Sequence, residues 1–265
     1  MMFIGFGSKY RRQSIRWLCV VILILAETVC VEGAAKIRVT PTVQEIYVKP
    51  GESQTQSITL TNQGEEDVYI QISLVDWMKD SDGESIFMQP GTEYSRSNLS
   101  WLKVEPRNFY LAAGAQRVIR ITMEAPQLGA GSYWSMMVFE FFDRLGARPF
   151  GRLAIGVYGL IEPLVKEAEV IDMKVSAGNE VEVTLKNTGN THLRCTGEII
   201  VTDGFGDEVT RFPMDNALIF PGMEMRVKGN PPGDLSLTAG KYSFLSLIDY
   251  GGDFYIAGEK MVEVH

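Results

Sequence analysis

Few side chains in this sequence are equipped for covalent or metal chemistry. Beyond residue 35 there are two histidines, His192 and His265, and one cysteine, Cys195. A nucleophile needs a base held beside it. His192 stands in the turn Gly189-Asn190-Thr191-His192, three residues before Cys195. On a strand an odd separation puts two side chains on opposite faces, so the pair makes a poor dyad. Two histidines and one cysteine also fall short of a structural zinc tetrahedron. The acidic turns Asp80-Ser81-Asp82-Gly83-Glu84, Asp203 to Asp207 and Asp249 to Asp253 look like the start of a calcium loop. The distal glutamate of an EF-hand is missing after the first, and all three read as hairpin turns. No glycine-rich phosphate loop precedes a helix. Asn98-Leu99-Ser100 is formally a glycosylation acceptor. These residues give no reason to expect an enzyme, a metal or a cofactor.

The elements that would position any site are strands. The chain has 265 residues, 45% hydrophobic and 22% charged, enough for one large or two ordinary domains. Residues 1–35 read as a secretory signal peptide: Lys9, Arg11, Arg12 and Arg16, then the short apolar run Leu18 to Ala26, then Gly33 and Ala35 before a cleavage site. An uncleaved anchor is the alternative. Arg11-Arg12 is a poor twin-arginine signal, and Cys30 has a poor lipobox before it. Removal of those residues takes away four basic and two acidic side chains, which moves the net charge from −8 to −10. No basic block is left, so nucleic acid is not an expected partner. Cys19 and Cys30 leave with the leader, and Cys195 alone allows no intrachain disulfide. It reads as a buried inert thiol or as an intermolecular bridge.

Strand signals then follow at short intervals: Ile37 to Val43, Glu45 to Val48, Gln56 to Thr61, Val68 to Val75, Leu102 to Val104, Gln116 to Met123, Trp134 to Phe142 and Leu153 to Ile161. A second series covers Glu167 to Val175, Glu180 to Leu185, Cys195 to Val201, Val209 to Phe212, Met223 to Val227, Lys241 to Ile248 and Phe254 to Val264. With Pro163 as a boundary, the fold class is all-β, two tandem immunoglobulin-like sandwiches over residues 36–163 and 164–265. The halves share a phrase. LTNQGEEDVYIQISL and LKNTGNTHLRCTGEI both read strand, Asn-x-Gly turn, strand.

The most informative stretch is Trp101 to Ile161. In its last segment Leu153, Ile155, Val157, Gly159 and Ile161 share one face, and Ala154, Gly156, Tyr158 and Leu160 the other. Neither face is polar. Such a strand is buried on both sides or awaits a cover. The alternation of Trp134, Met136, Val138 and Glu140 against Met137, Phe139 and Phe141 fits a central core strand.

Several phrases carry a resemblance to one family: Ile46-Tyr47 followed by Pro50-Gly51-Glu52, SITLTNQGEEDVYIQISLVDW, LKVEPRNFYLAAGAQRVIRIT with Leu111, Gly114 and Arg120, and SYWSMMVFEF. Over residues 37–163 the chain resembles the first domain of the PapD-like periplasmic pilus-assembly chaperones. The resemblance implies a periplasmic chaperone that binds an exported pilin-like subunit or other envelope protein by β-strand addition. It assigns partner binding to Leu153, Ile155, Val157 and Ile161. It departs at the pair that anchors a subunit's terminal carboxylate, where Gln44 and Gly159 align in place of arginine and lysine, with Arg38 and Lys166 nearby. The second half resembles fibronectin-III-like bacterial modules. The alternative is a non-catalytic structural or adhesive envelope protein on the same fold.

Overall fold

The computed structural model describes residues 36–89, 92–176 and 179–265, and the backbone of Val29–Val31. The basic and apolar parts of the leader, the small residues Gly33 and Ala35, and part of the turn at Asn179 lie outside them. The described residues form two compact units, one holding those up to Met78 together with Phe87–Leu164, the other Lys79–Ile86 with Val165–His265.

The strands in the first half are β1 (Val29–Val31), β2 (Ile37–Thr40), β3 (Val43–Val48), β4 (Ser53–Asn62), β5 (Val68–Val75), β6 (Trp77–Lys79), β7 (Ser85–Phe87), β8 (Leu102–Glu105), β9 (Asn108–Leu111), β10 (Gln116–Glu124), β11 (Gly131–Phe142) and β12 (Pro149–Ile161). They build two five-stranded sheets, β1-β2-β4-β10-β8 and β3-β12-β11-β5-β9, and a small β6-β7 hairpin. Period-2 alternation decides the packing. Ile58 and Leu60 of β4, Ile119, Ile121 and Met123 of β10, Ile70 of β5, and Met137, Phe139 and Phe141 of β11 all turn inward and are buried. Each fully buried residue of this size contributes about 1.5–3 kcal/mol.

Three of the differences from the sequence reading bear on how the sheets are built. Ile37 to Val43 is not one strand, because Pro41 has no N–H to give a ladder, and the chain passes from β2 in one sheet to β3 in the other. β9 is a four-residue strand after Pro106 with only Phe109 and Leu111 turned inward, too short to announce itself. β12 starts at Pro149, four residues before the apolar alternation, because β11 holds it there.

The second half contributes β13 (Ala168–Val175), β14 (Val181–Asn187), β15 (Leu193–Asp203), β16 (Glu208–Pro213), β17 (Ala217–Ile219), β18 (Glu224–Lys228), β19 (Gly240–Asp249) and β20 (Ile256–Val264). Sheets β13-β14-β18 and β16-β15-β19-β20 form a three-plus-four sandwich, with β17 paired to the start of β15. β17 is the strand the sequence reading missed here. Lys79–Ile86 belongs to this unit, although the sequence reading placed it with the first domain. The Arg226 amide donates to Ser81 O at 2.9 Å, and its guanidinium pairs with Asp82.

The shared phrase becomes a shared structure. Asn62 and Asn187 are both fully buried. The Asn62 amide donates to Glu66 O and Leu111 O at 2.7 and 3.1 Å, and its Oδ1 accepts from Gly64 N at 3.0 Å. The Asn187 amide donates to Thr191 O and Ile219 O at 2.8 and 2.9 Å, and its Oδ1 accepts from Gly189 N at 3.0 Å. Each asparagine therefore ties its own turn to a distant strand.

The acidic turns at Asp80 and Asp203, and a third turn at Asp143, repeat one design, D-x-x-G. Asp80 Oδ1 accepts from the amides of Asp82 and Glu84, Asp143 Oδ1 from those of Ala147 and Arg148, and Asp203 Oδ1 from those of Phe205 and Asp207. In each turn the glycine three residues on takes a left-handed φ, +85° at Gly83, +70° at Gly146 and +91° at Gly206. These carboxylates are spent on their own hairpins.

Candidate partner-binding edge

β12 has two different halves. From Gly156 to Ile161 it lies between β11, antiparallel, and β3, parallel. From Pro149 to Ile155 it pairs with β11 only, and no strand of the described residues takes its other side. The cause is β3, which begins at Val43 opposite Gly156 because the chain ahead of it is committed to the other sheet. An unpaired row of N–H and C=O groups is a template for another chain.

Alternation identifies the open groups. The Trp134 amide donates to Arg96 O, on the side of β11 away from β12. Every second residue of an antiparallel strand points the same way, so Tyr133, Ser135, Met137 and Phe139 bond toward β12. Their partners there are Gly159, Val157, Ile155 and Leu153. The alternate residues Arg152 and Ala154 therefore direct their backbone groups to the open side.

The side chains divide in the same place. Ile155, Val157 and Ile161 are 2%, 0% and 0% exposed and belong to the core of their own sandwich. Leu153 is half-buried against that core. Phe150 is 40% exposed, its ring 6.2 Å from that of Phe141 and nearly parallel to it. A bulge puts it there: Phe141 opposes Gly151 and Phe142 opposes Pro149, so Phe150 is the extra residue. Of the four residues assigned to partner binding, Leu153 alone keeps accessible surface. Phe150, which sequence reasoning missed, joins it. Counting back from Leu153 by twos passes over Phe150, and only the bulge changes its parity.

The outer face of the second half is covered from within the same unit. Trp134 donates its indole N–H to Trp77 O at 2.9 Å, and the Tyr94 ring meets it edge-on at 5.5 Å. The two possibilities for an apolar strand are both realised, one in each half.

The edges of the second unit are guarded. β16 carries Glu208 and Arg211, β18 carries Glu224, Arg226 and Lys228, and β20 carries Glu259, Lys260 and Glu263. β13 has three charges and a bulge at Ile171. Such charges and bulges deter strand pairing. The open half of β12 has one charge, Arg152, and Glu140 on β11 holds it. The turn that presents this edge is firm at neutral pH. Backbone hydrogen bonds, chiefly from Ala147, hold the Asp143 carboxyl below its ordinary pKa.

No charged pair stands at the aligned anchor positions. Gln44 is 2% exposed and faces the core. Gly159 also faces inward, where a Cβ would run into the Met123 side chain and lie 3.6 Å from Asn98 Nδ2. Lys166 donates to Gly251 O at 3.2 Å. Arg38 is exposed on β2.

Asn98 is fully buried, and its amide donates to Tyr133 O and Val157 O at 3.2 and 3.1 Å. It ties β11 to β12 from the inside and cannot accept a glycan in the folded chain. Cys195 is 2% exposed, and burial pushes its thiol up to about 12, so it stays protonated and inert.

One titratable group is held at a cost. Burial raises the Asp76 carboxyl above its ordinary pKa, while a hydrogen bond from Ser97 pulls the other way and loses. Asp76 Oδ1 has no hydrogen-bond partner among the described residues. The folded chain thus binds this proton more readily than the unfolded chain, and the residue's contribution to stability falls as pH rises from 3.8 through the raised value. Asp76→Asn should therefore raise the thermal midpoint at pH 7. The gain should vanish below pH 3.8 in a melting series across pH. An unchanged midpoint at pH 7 would mean that the carboxylate is solvated there.

No protein-family model matches the chain, and no curated protein sequence matches it. Solved structures with a similar fold include the YadV chaperone, 15% identical, covering 85% of this chain and 99% of that one at a TM-score of 0.46. The class 5 fimbriae chaperone CfaA is 16% identical, covering 86% and 100% at 0.48. A chain of the CsuC-CsuE chaperone-tip adhesion subunit pre-assembly complex from archaic chaperone-usher Csu pili of Acinetobacter baumannii is 13% identical, covering 84% and 97% at 0.47.

Proposed function

We propose that this chain is a periplasmic chaperone of the pilus- or fimbria-assembly type, without catalytic activity or cofactor. It holds an exported subunit by β-strand addition along Pro149–Ile155. One observation carries the reading: the open half of β12 is an apolar edge with a single, internally paired charge. The signal-peptide pattern of residues 1–35 supports export to the periplasm. Phe150 and Leu153 are the side chains offered first. Ile155 and Val157 continue the rib inward and set its spacing.

A second reading has its own support. Ile155, Val157 and Ile161 already fill their own core, and Gln44 and Gly159 cannot grip a carboxylate. A structural envelope protein would need nothing more. The two readings part on co-expression with a fimbrial subunit that lacks its final strand, against the same subunit with a completing strand fused to it. A chaperone retains the incomplete form and releases the completed one. Equal recovery of both, or of neither, favours the structural reading.

A further inference from the structure

The boundary between the open and closed halves of β12 is set by the first two residues of β3, and this pair is built poorly. Val43 is 42% exposed. Gln44 sits opposite Val157 and is buried, yet its Nε2 has no hydrogen-bond partner among the described residues. Across Val157 on the other side stands Ser135, fully buried, whose Oγ also has none among the described residues. A buried donor without an acceptor costs about as much as several ordinary hydrogen bonds contribute. The next two inward residues of β3, Ile46 and Val48, are apolar and well buried. The strain is therefore confined to one rung at the very place where the free edge ends.

We infer that Val43–Gln44 is a releasable latch. It closes the β12 edge at Gly156–Val157 in the free chain and lets go when a partner strand pairs along Pro149–Ile155. Release frees the Gln44 amide to reach water and lengthens the available edge from seven residues to nine, Pro149 to Val157. A lone strand of seven residues is thereby extended at little cost, because the rung given up is the one with the unsatisfied donor. Ile46–Val48 stay in place and hold β3 to the sandwich. The inference rests on the proposed use of this edge, but its first test does not.

Hydrogen exchange on the free protein should show residues 43–45 exchanging at least about tenfold faster than residues 46–48. Gln44→Met keeps the length of the side chain and removes the amide. It should slow that exchange about tenfold and raise the thermal midpoint, and Gln44→Leu should act the same way if the methionine variant folds badly. The same substitution should weaken capture of the incomplete fimbrial subunit about tenfold, equivalent to about 1.4 kcal/mol. Equal exchange across 43–48, or a lowered midpoint in both variants, overturns the latch. If an edge-blocking proline abolishes capture while Gln44→Met leaves it unchanged, the edge reading stands and the latch falls.

Discussion

Ala154→Pro is expected to abolish capture of an incomplete subunit while the chain stays folded. Ala154 directs its backbone groups away from β11, toward the side of β12 that no described strand occupies. Proline there removes an N–H that points to the side where no strand of the described residues pairs, and the ladder to β11 loses nothing. The thermal midpoint should move by a few degrees at most. An incoming strand loses a hydrogen bond and meets the pyrrolidine ring in the middle of its path. Loss of at least about a hundredfold in affinity, or about 2.7 kcal/mol, is expected. Leu153→Pro is the matching control. Leu153 bonds toward β11, so proline at that position should destabilise the sandwich itself. Undiminished capture by the Ala154 variant would place the partner on another surface.

The largest effect on stability is expected at Asn187. Its side chain satisfies Thr191 O, Ile219 O and Gly189 N, all from a position with no exposure. Asn187→Ala leaves two carbonyls and one amide short of partners. The cost should be about 3 kcal/mol, enough to lower the midpoint of a unit this size by about 10 °C or more. Calorimetry on the full chain would show the transition of the second unit moving down while the first stays. Asn62→Ala should do the reverse, since Asn62 holds the same three bonds in the first unit. A loss below about 1 kcal/mol would mean that water takes over these bonds and that the shared phrase is only shared turn chemistry.

Much of this molecule can be read from its residues. Alternation placed Met137, Phe139 and Phe141 on one face, and all three are buried there. The Asn-x-Gly turns were visible as a pair before their hydrogen bonds were known. Features that depend on where strands end were not visible. Phe150 reaches the inner side through a bulge, and a bulge changes parity without changing composition. Ile155 and Val157 have the pattern of a rib offered outward, but that pattern also describes a strand feeding its own core. Burial separates the two, and both side chains fill the core of their own sandwich. Asn98 looked like a glycan acceptor and is an internal tie, because a three-residue motif says nothing about burial. The membership of Lys79–Ile86 in the second unit depends on Arg226, 144 residues from Asp82, a pairing that no local signal announces.

Residue-resolved amide exchange on the chain bound to the incomplete subunit tests the central claim most directly. Arg152 and Ala154 are the groups to watch, because their amides face the open side of β12 in the free chain. Strong protection of both on binding, beside unchanged protection of Leu153 and Ile155, is the result expected of strand addition along this edge. Unchanged exchange at Arg152 and Ala154 while the subunit is bound, with new protection along another strand, would contradict it.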